Sequence, residues 1–420
     1  MPWRSSTRSK KDAGAFRLHA DTMNRSVVLI VAGEASADLH GSNLVRAMKR
    51  HDASIRFRGI GGPRMESQGV EILTPCSELS VVGLTEVFPR LRTIARAYGR
   101  LKNILKKDRP ELLILIDFPD FNLMLARIAK RRGVPVLYYI SPQVWAWRKG
   151  RVEKLRRRVD RLAVILPFEE AFYRQKGLDV EYVGHPLLDV IPPRMEKDGA
   201  RKELGMDGAS PVIGLLPGSR KEEVVNLLPT MVKAAIELRA SFPKLKCILP
   251  KAPTIPEELI ASMLVSRPIE IKVIPGQIYK VLSACDCAFV ASGTATLETA
   301  IMQVPMVILY RVSPLSYRIG RKVIRVPAIG LPNLVAEKKI VPELIQDEAT
   351  PARLAREALS LLGDDKRKDH MVKELSKVRE KLGTLSASQR TAQIALEMIA
   401  EHRAKRNPVH PPSGRGRGEG

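Results

Sequence analysis

No stretch of the 420 residues approaches the roughly 20 consecutive apolar positions that a bilayer span requires, which excludes a helical transmembrane segment on sequence grounds. Residues 1–23 contain no apolar core segment and do not read as a secretory signal, so the protein is expected on the cytoplasmic side of the membrane. Only four cysteines are present (Cys76, Cys247, Cys285 and Cys287), too few and too scattered for a disulfide framework. Cys285 and Cys287 stand two apart, but no second pair or histidine cluster completes a zinc site, and they read as small apolar residues entering a strand. A D-x-D motif is missing too, and no metal or other cofactor is expected. A G-x-G-x-x-G turn is likewise absent, so a dinucleotide is not implied.

Acidic residues are the scarcest relative to need: 45 Asp and Glu against 70 Lys and Arg leave a net charge of +25. Such a balance suits a phosphorylated substrate, an anionic lipid surface or a nucleic acid. No RNA-binding motif or recognition helix accompanies the charge. Aromatic residues make up 5%, and two of the three tryptophans, Trp145 and Trp147, lie within three residues of each other, just past a strand end.

A hydrophobic fraction of 45% over this length predicts two cores rather than one. The stretch around which the rest is arranged begins with Leu112–Ile116, an apolar run between Pro110 and Pro119 that reads as a buried parallel strand. Asp117 and Asp120 stand at its carboxyl end, where open α/β sheets gather their ligands. A helix is predicted over Phe121–Arg132 and another strand over Val134–Ile140. The Trp145–Trp147 loop and a run of cations follow.

The two halves open with the same grammar. Val27–Ala32 reads as a strand, Gly33–Asp38 as a turn of small residues, and about Leu39–Arg50 as a helix. Val212–Leu216, Pro217–Arg220 and Glu222–Arg239 repeat that order, as a pair of facing Rossmann-like domains would. Further strands are predicted at Arg161–Leu166, Val180–Val183, Leu245–Pro250, Ile271–Ile274, Cys287–Ala291 and Met306–Tyr310. Ser292–Thr296 brings small residues and hydroxyls to a helix start, which favours phosphate, and Glu298 lies one turn in, within reach of a ribose diol. Arg220 is able to neutralise a diphosphate bidentately. His185 reads as a structural hydrogen-bonding residue.

Between Leu79 and Ala97, Leu84, Val87, Phe88, Leu91 and Ile94 recur at helical spacing, interleaved with Arg90, Arg92 and Arg96. A core helix and an anionic membrane interface both fit that pattern; the dense arginines and Pro89 favour the interface.

In order along the chain stand GEASADLHG (33–41), GGPRM (61–65), IDFPDFN (116–122), YYISPQVWAWRKGRV (138–152), LPFEEAFY (166–173), GHPLLD (184–189), LPGSRKEEV (216–224), ASGTATLE (291–298) and LPNL (331–334). This ordered set resembles lipid-A-disaccharide synthase, a GT-B glycosyltransferase family of Gram-negative bacteria, over roughly residues 25–400. The resemblance implies an α/β fold of GT-B type, with the substrate cleft between two Rossmann-like domains. It implies an inverting transfer from UDP-2,3-diacylglucosamine to 2,3-diacylglucosamine 1-phosphate, giving a β(1→6) disaccharide and UDP. The expected domains are 26–191 for the acceptor and membrane, a linker at 192–210, and 211–385 for the UDP-sugar. A helix over 386–403 is expected to cross back, with disordered ends at 1–25 and 404–420.

The resemblance also assigns roles. Glu34, Ser36 and Asp38, with Trp145, Trp147, Arg148, Lys149 and Arg151, fall to the acceptor. Gly218, Ser219, Arg220, Ser292, Gly293, Thr294, Glu298 and Asn333 fall to UDP. Asp117 is the chosen general base, with Asp120 orienting the loop or sharing the work. Leu84–Ile94 would contact the inner membrane from its cytoplasmic face, and a homodimer is a family expectation. A UDP-N-acetylhexosamine 2-epimerase on the same fold is the enzymatic alternative. A nucleic-acid-binding protein, explained by charge alone, is the non-enzymatic one, though nucleic acid is not the expected partner.

Overall fold

The computed structural model describes residues 26–79, 87–142, 150–265, 267–313, 317, 328–383 and 386–406. Leu84, Trp145, Trp147, Arg148, Lys149 and both terminal extensions therefore lie outside the described residues.

Two parallel sheets organise the chain. The first has seven strands in the order β3-β2-β1-β4-β5-β6-β7. These are β1 (Val27–Ala32), β2 (Arg56–Gly61), β3 (Val70–Pro75), β4 (Leu112–Ile116), β5 (Val136–Tyr139), β6 (Arg161–Val164) and β7 (Val180–Tyr182). The second has six in the order β10-β9-β8-β11-β12-β13: β8 (Val212–Leu216), β9 (Lys246–Lys251), β10 (Ile271–Pro275), β11 (Cys287–Ala291), β12 (Met306–Tyr310) and β13 (Glu343–Ile345). In each sheet the order reverses beside the first strand, at β1/β4 and at β8/β11. Such switch points open a crevice at the strand carboxyl ends. The central strands β1, β4 and β11 are continuous apolar runs because helices cover both faces.

The helices flanking the first sheet are α1 (Ala35–His51), α2 (Pro63–Ser67), α3 (Val87–Lys107), α4 (Pro119–Arg131), α5 (Gly150–Arg158) and α6 (Pro167–Arg174). Those of the second are α7 (Lys197–Glu203), α8 (Lys221–Leu238), α9 (Glu257–Leu264), α10 (Ile278–Ala284), α11 (Thr294–Ile301), α12 (Leu331–Ala336), α13 (Pro351–Gly363) and α14 (Asp365–Lys381), before α15 (Ala387–Arg406) ends the described chain. Helix α1 begins at Ala35, four residues before the predicted start, and Asp38 N–H already donates to the Glu34 carbonyl at 2.9 Å. Alanine, the strongest helix former, turns most of the predicted small-residue turn into the first helical turn. Helix α4 begins at Pro119, whose fixed φ and missing N–H suit a first helical position.

The stretch predicted as a linker, 192–210, is not free. It holds α7, and Ala200, Leu204 and Met206 are buried in the core of the second sheet. Helix α15 returns to the first sheet, lies along α1 and buries Ala392, Ile394, Ala395 and Met398 against the face that carries Val28 and Ile30. The chain thus crosses between its halves twice, and the crossings touch. Gly184 (φ 87°) and Gly383 (φ 105°) meet so closely that a Cβ on Gly383 would lie 3.2 Å from the Gly184 Cα. His185 N–H donates to the Leu382 carbonyl at 2.8 Å there, while its Nδ1 accepts from Leu187 N–H at 3.2 Å.

Val87, Phe88 and Leu91 belong to α3. Ile94 packs on the core cluster that also takes Ala97, Leu101 and Leu105 from the same helix. Ile94 is only partly buried, and three- and four-residue steps carry the core face of α3 back to it.

Candidate active site

At the carboxyl end of β4 the backbone makes an unusual turn. Asp117 (φ 47°) and Phe118 (φ 48°) both occupy the left-handed region, which non-glycine residues enter singly and at a cost. The Phe118 ring lies where a Gly33 side chain would be; a Cβ there would come within 2.4 Å of it. Gly33 is thus required for the close approach of the β1 and β4 loops. The Asp117 carbonyl accepts from Tyr138 Oη and from Asn122 Nδ2, each at 2.6 Å, and Asn122 Nδ2 also reaches the Ile116 carbonyl at 3.3 Å. Burial lifts the Asp117 carboxyl to about 6, and the neighbouring Glu34 carboxylate adds to the rise. A carboxyl with that value, at a strand end, is matched to accepting a proton near neutral pH.

Glu34 and Ser36 are exposed at the start of α1, on the same side as Asp117. Asp38 is buried, and its carboxylate is fully engaged: Gly62 N–H donates at 2.6 Å, and Arg64 and Met65 N–H at 3.1 Å. Those bonds fix the start of α2. Asp120 is well exposed and pairs with Arg151, Nη2 to Oδ1 at 2.5 Å. The structure thereby joins a residue assigned to catalysis with one assigned to the acceptor.

In the second half, a cavity of about 410 Å³ opens at the carboxyl ends of β8 and β11. Gly218, Ser219, Arg220, Ser292, Gly293, Thr294 and Glu298 all line it. Gly218 has φ 111°, and a Cβ there would strike the Glu223 carboxylate at 2.2 Å. Glu223, missed in the sequence, accepts from Ser219 N–H at 3.1 Å and Arg220 N–H at 3.3 Å. The N–H groups of that turn are thus held by an internal carboxylate, whose other oxygen pairs with the exposed Arg220 guanidinium at 3.5 Å. Tyr279, also missed, donates its hydroxyl to Glu298 Oε1 at 3.0 Å. Burial raises the Glu298 carboxyl, and the Tyr279 bond opposes that rise.

Asn333 stands apart from this cavity. It is buried; its Nδ2 donates to the Val341 carbonyl and to Glu343 Oε1, and its Oδ1 accepts from Ile340 and Val341 N–H. Both ends of the amide are spent on the loop before β13. Among the described residues no group of three or more His, Cys, Asp or Glu side chains is arranged to hold a metal.

A family model described as lipid-A-disaccharide synthetase matches residues 28–398. The chain is 49% identical over 376 residues to the lipid-A-disaccharide synthase of Geobacter metallireducens, covering 90% of this chain and 98% of that protein. It is 43% identical to that of Myxococcus xanthus, with 89% and 97% covered. Solved structures of similar fold include a UDP-GlcNAc 2-epimerase from Neisseria meningitidis bound to UDP-GlcNAc (TM-score 0.58, 11% identity, 89% of this chain and 100% of that one). MurG of Acinetobacter baumannii is another (TM-score 0.56, 14% identity, 89% and 99% covered). At such identities these likenesses speak to the fold alone, which is GT-B.

Proposed function

The chain belongs to the lipid-A-disaccharide synthase family and is a glycosyltransferase, and from that premise we propose which residues carry its reaction. The donor is UDP-2,3-diacylglucosamine and the acceptor 2,3-diacylglucosamine 1-phosphate. The acceptor's 6-hydroxyl oxygen attacks C1 of the donor sugar from the face opposite the phosphate. A new C–O bond forms, the bond from C1 to the β-phosphate oxygen breaks, and the electron pair leaves with UDP. The hydroxyl proton passes to Asp117.

The observation that carries this reading is the Asp117 carboxyl, held on a strained turn and lifted to about 6. At neutral pH it is ionised yet basic enough to take a proton. Arg220 balances the charge of the departing diphosphate, and Glu298, oriented by Tyr279, takes the ribose. Arg151, with Arg148 and Lys149, meets the acceptor's 1-phosphate. Val87, Phe88 and Leu91, with Leu84, touch the anionic inner-membrane surface from the cytoplasmic side, where both acylated substrates are anchored. Two copies of the chain are expected to associate.

The test is direct. The protein is incubated with both lipid precursors, and the products are read by mass spectrometry. A disaccharide 1-phosphate with one UDP per linkage supports the assignment. Conversion of UDP-N-acetylglucosamine to its 2-epimer without glycosidic bond formation would replace it.

A further inference from the structure

We infer that Tyr138 and Asn122 are positioning residues for the general base, an inference that rests on the assignment of that role to Asp117. Both side chains are fully buried, and the hydrogen bonds they make to Asp117 go to its carbonyl. They grip the Asp117 carbonyl from two elements, Tyr138 from β5 and Asn122 from α4, at 2.6 Å each. A carbonyl with two acceptor sites is saturated by those two donors.

The position of that carbonyl sets the conformation that follows it. A β-strand leaving Ile116 would ordinarily continue with φ near −120°, sending alternate side chains to opposite faces. Two successive left-handed residues turn the chain instead, and each is strained. Such strain persists only where surrounding bonds over-determine it, and the tyrosine hydroxyl and asparagine amide supply those bonds. Gly33 removes the side chain that would block Phe118, so the neighbouring loop accommodates the same turn.

Asn122 carries a further sign of specialisation. Its Nδ2 makes both bonds, whereas its Oδ1 is buried with no partner. A buried, unpaired acceptor is destabilising, so the residue is not optimised for stability alone. Aspartate would offer no donor to the two carbonyls and would place a second negative charge beside the base. The amide is the group of that size that donates to both carbonyls without a charge.

The experiment compares parent, Tyr138→Phe, Asp117→Asn and the double variant, with both substrates across pH 5–9. Tyr138→Phe removes one oxygen and is expected to lower kcat by ~10²-fold, the cost of a misplaced reacting group, while donor KM stays near the parent value. The acid limb of its pH profile moves down, because a relaxed carboxylate regains water. Adding Tyr138→Phe to Asp117→Asn should cost nothing more, since the hydroxyl acts only through the base. If Tyr138→Phe lowers the melting temperature but leaves kcat and the limb in place, the hydroxyl is merely structural and the inference fails. A full additional loss in the double variant overturns it too. Normal turnover by Asp117→Asn would instead remove the base assignment, and this inference with it. Asn122→Ser, measured in the same way, serves if Tyr138→Phe yields too little folded protein.

Discussion

The Tyr279 hydroxyl donates to Glu298 Oε1 at 3.0 Å, linking the start of α10 to a residue of α11 that lines the cavity. A carboxylate oriented by one hydroxyl keeps its second oxygen for a ligand. Arg220→Ala and Glu298→Ala are each expected to weaken UDP binding by about 1.5–3 kcal/mol, the worth of a charge-assisted bond. Tyr279→Phe should cost less, about 1 kcal/mol. Isothermal titration with UDP measures all three, and unchanged affinities would place the nucleotide elsewhere.

Asp117→Asn should bind UDP normally and form the disaccharide roughly 10²–10⁴-fold more slowly. It should also be more stable at neutral pH. Burial raises the folded-state carboxyl from 3.8 to about 6. The fold therefore favours the protonated form, and stability is lost as pH rises between those values. Above about 6 the whole cost, ~3 kcal/mol at 1.36 kcal/mol per unit, is present, and asparagine removes it. Thermal melts at pH 7.5 should show a higher midpoint for the variant, converging on the parent below pH 4. A lower midpoint at pH 7.5 would contradict the assigned burial.

The same group sets a pH dependence for the parent. kcat/KM should climb with unit slope at acid pH and level off near pH 6 as Asp117 ionises. Glu34→Gln removes the like charge beside it, so the bend should move to lower pH whatever the variant does to acceptor binding. A bend that stays in place would separate the two carboxylates.

Asn333→Ala is expected to leave UDP affinity untouched and to lower stability by ~3 kcal/mol, because the buried Glu343 loses a donor and two backbone N–H groups lose their acceptor. Denaturant titration alongside UDP binding separates the two effects.

At the proposed membrane contact, replacing Leu84, Val87, Phe88 and Leu91 by serine should reduce sedimentation with anionic vesicles and leave the melting temperature near that of the parent. Ile94→Ser should do the reverse, losing ~1–2 kcal/mol of stability, because that side chain packs on the core. Equal behaviour of the two variants would undo this division of α3.

Much of this architecture is legible where one residue type repeats. Val27–Ala32, Leu112–Ile116, Val212–Leu216, Cys287–Ala291 and Met306–Tyr310 are strands exactly where apolar runs predict them. Strand β2 escapes that reading because Arg56, Arg58 and Gly59 interrupt it. Arg58 is made tolerable by Glu71 and Asp108, and Gly59 by contact with the Ile30 carbonyl, where a Cβ would lie 1.8 Å away. These compensations come from other elements and leave no local pattern. Tyr279 and Glu223 stayed hidden for the same reason: their partners are set by three-dimensional contact or by side-chain direction. Asn333 stands in a recognisable motif, but its burial depends on Glu343, ten residues further on.

The return of α15 has a consequence for biosynthesis. Its apolar side chains complete the sheet face that holds Val28 and Ile30, among the first buried residues of the described chain. A ribosome delivers β1 early and α15 after every other described element. Until α15 emerges, the first half carries an uncovered apolar strip along α1, while the second half already possesses its described elements. The order of synthesis and the order of completion are therefore opposed. Nascent chains stalled before residue 387 should bind holdase chaperones through that strip, and release should let go of them.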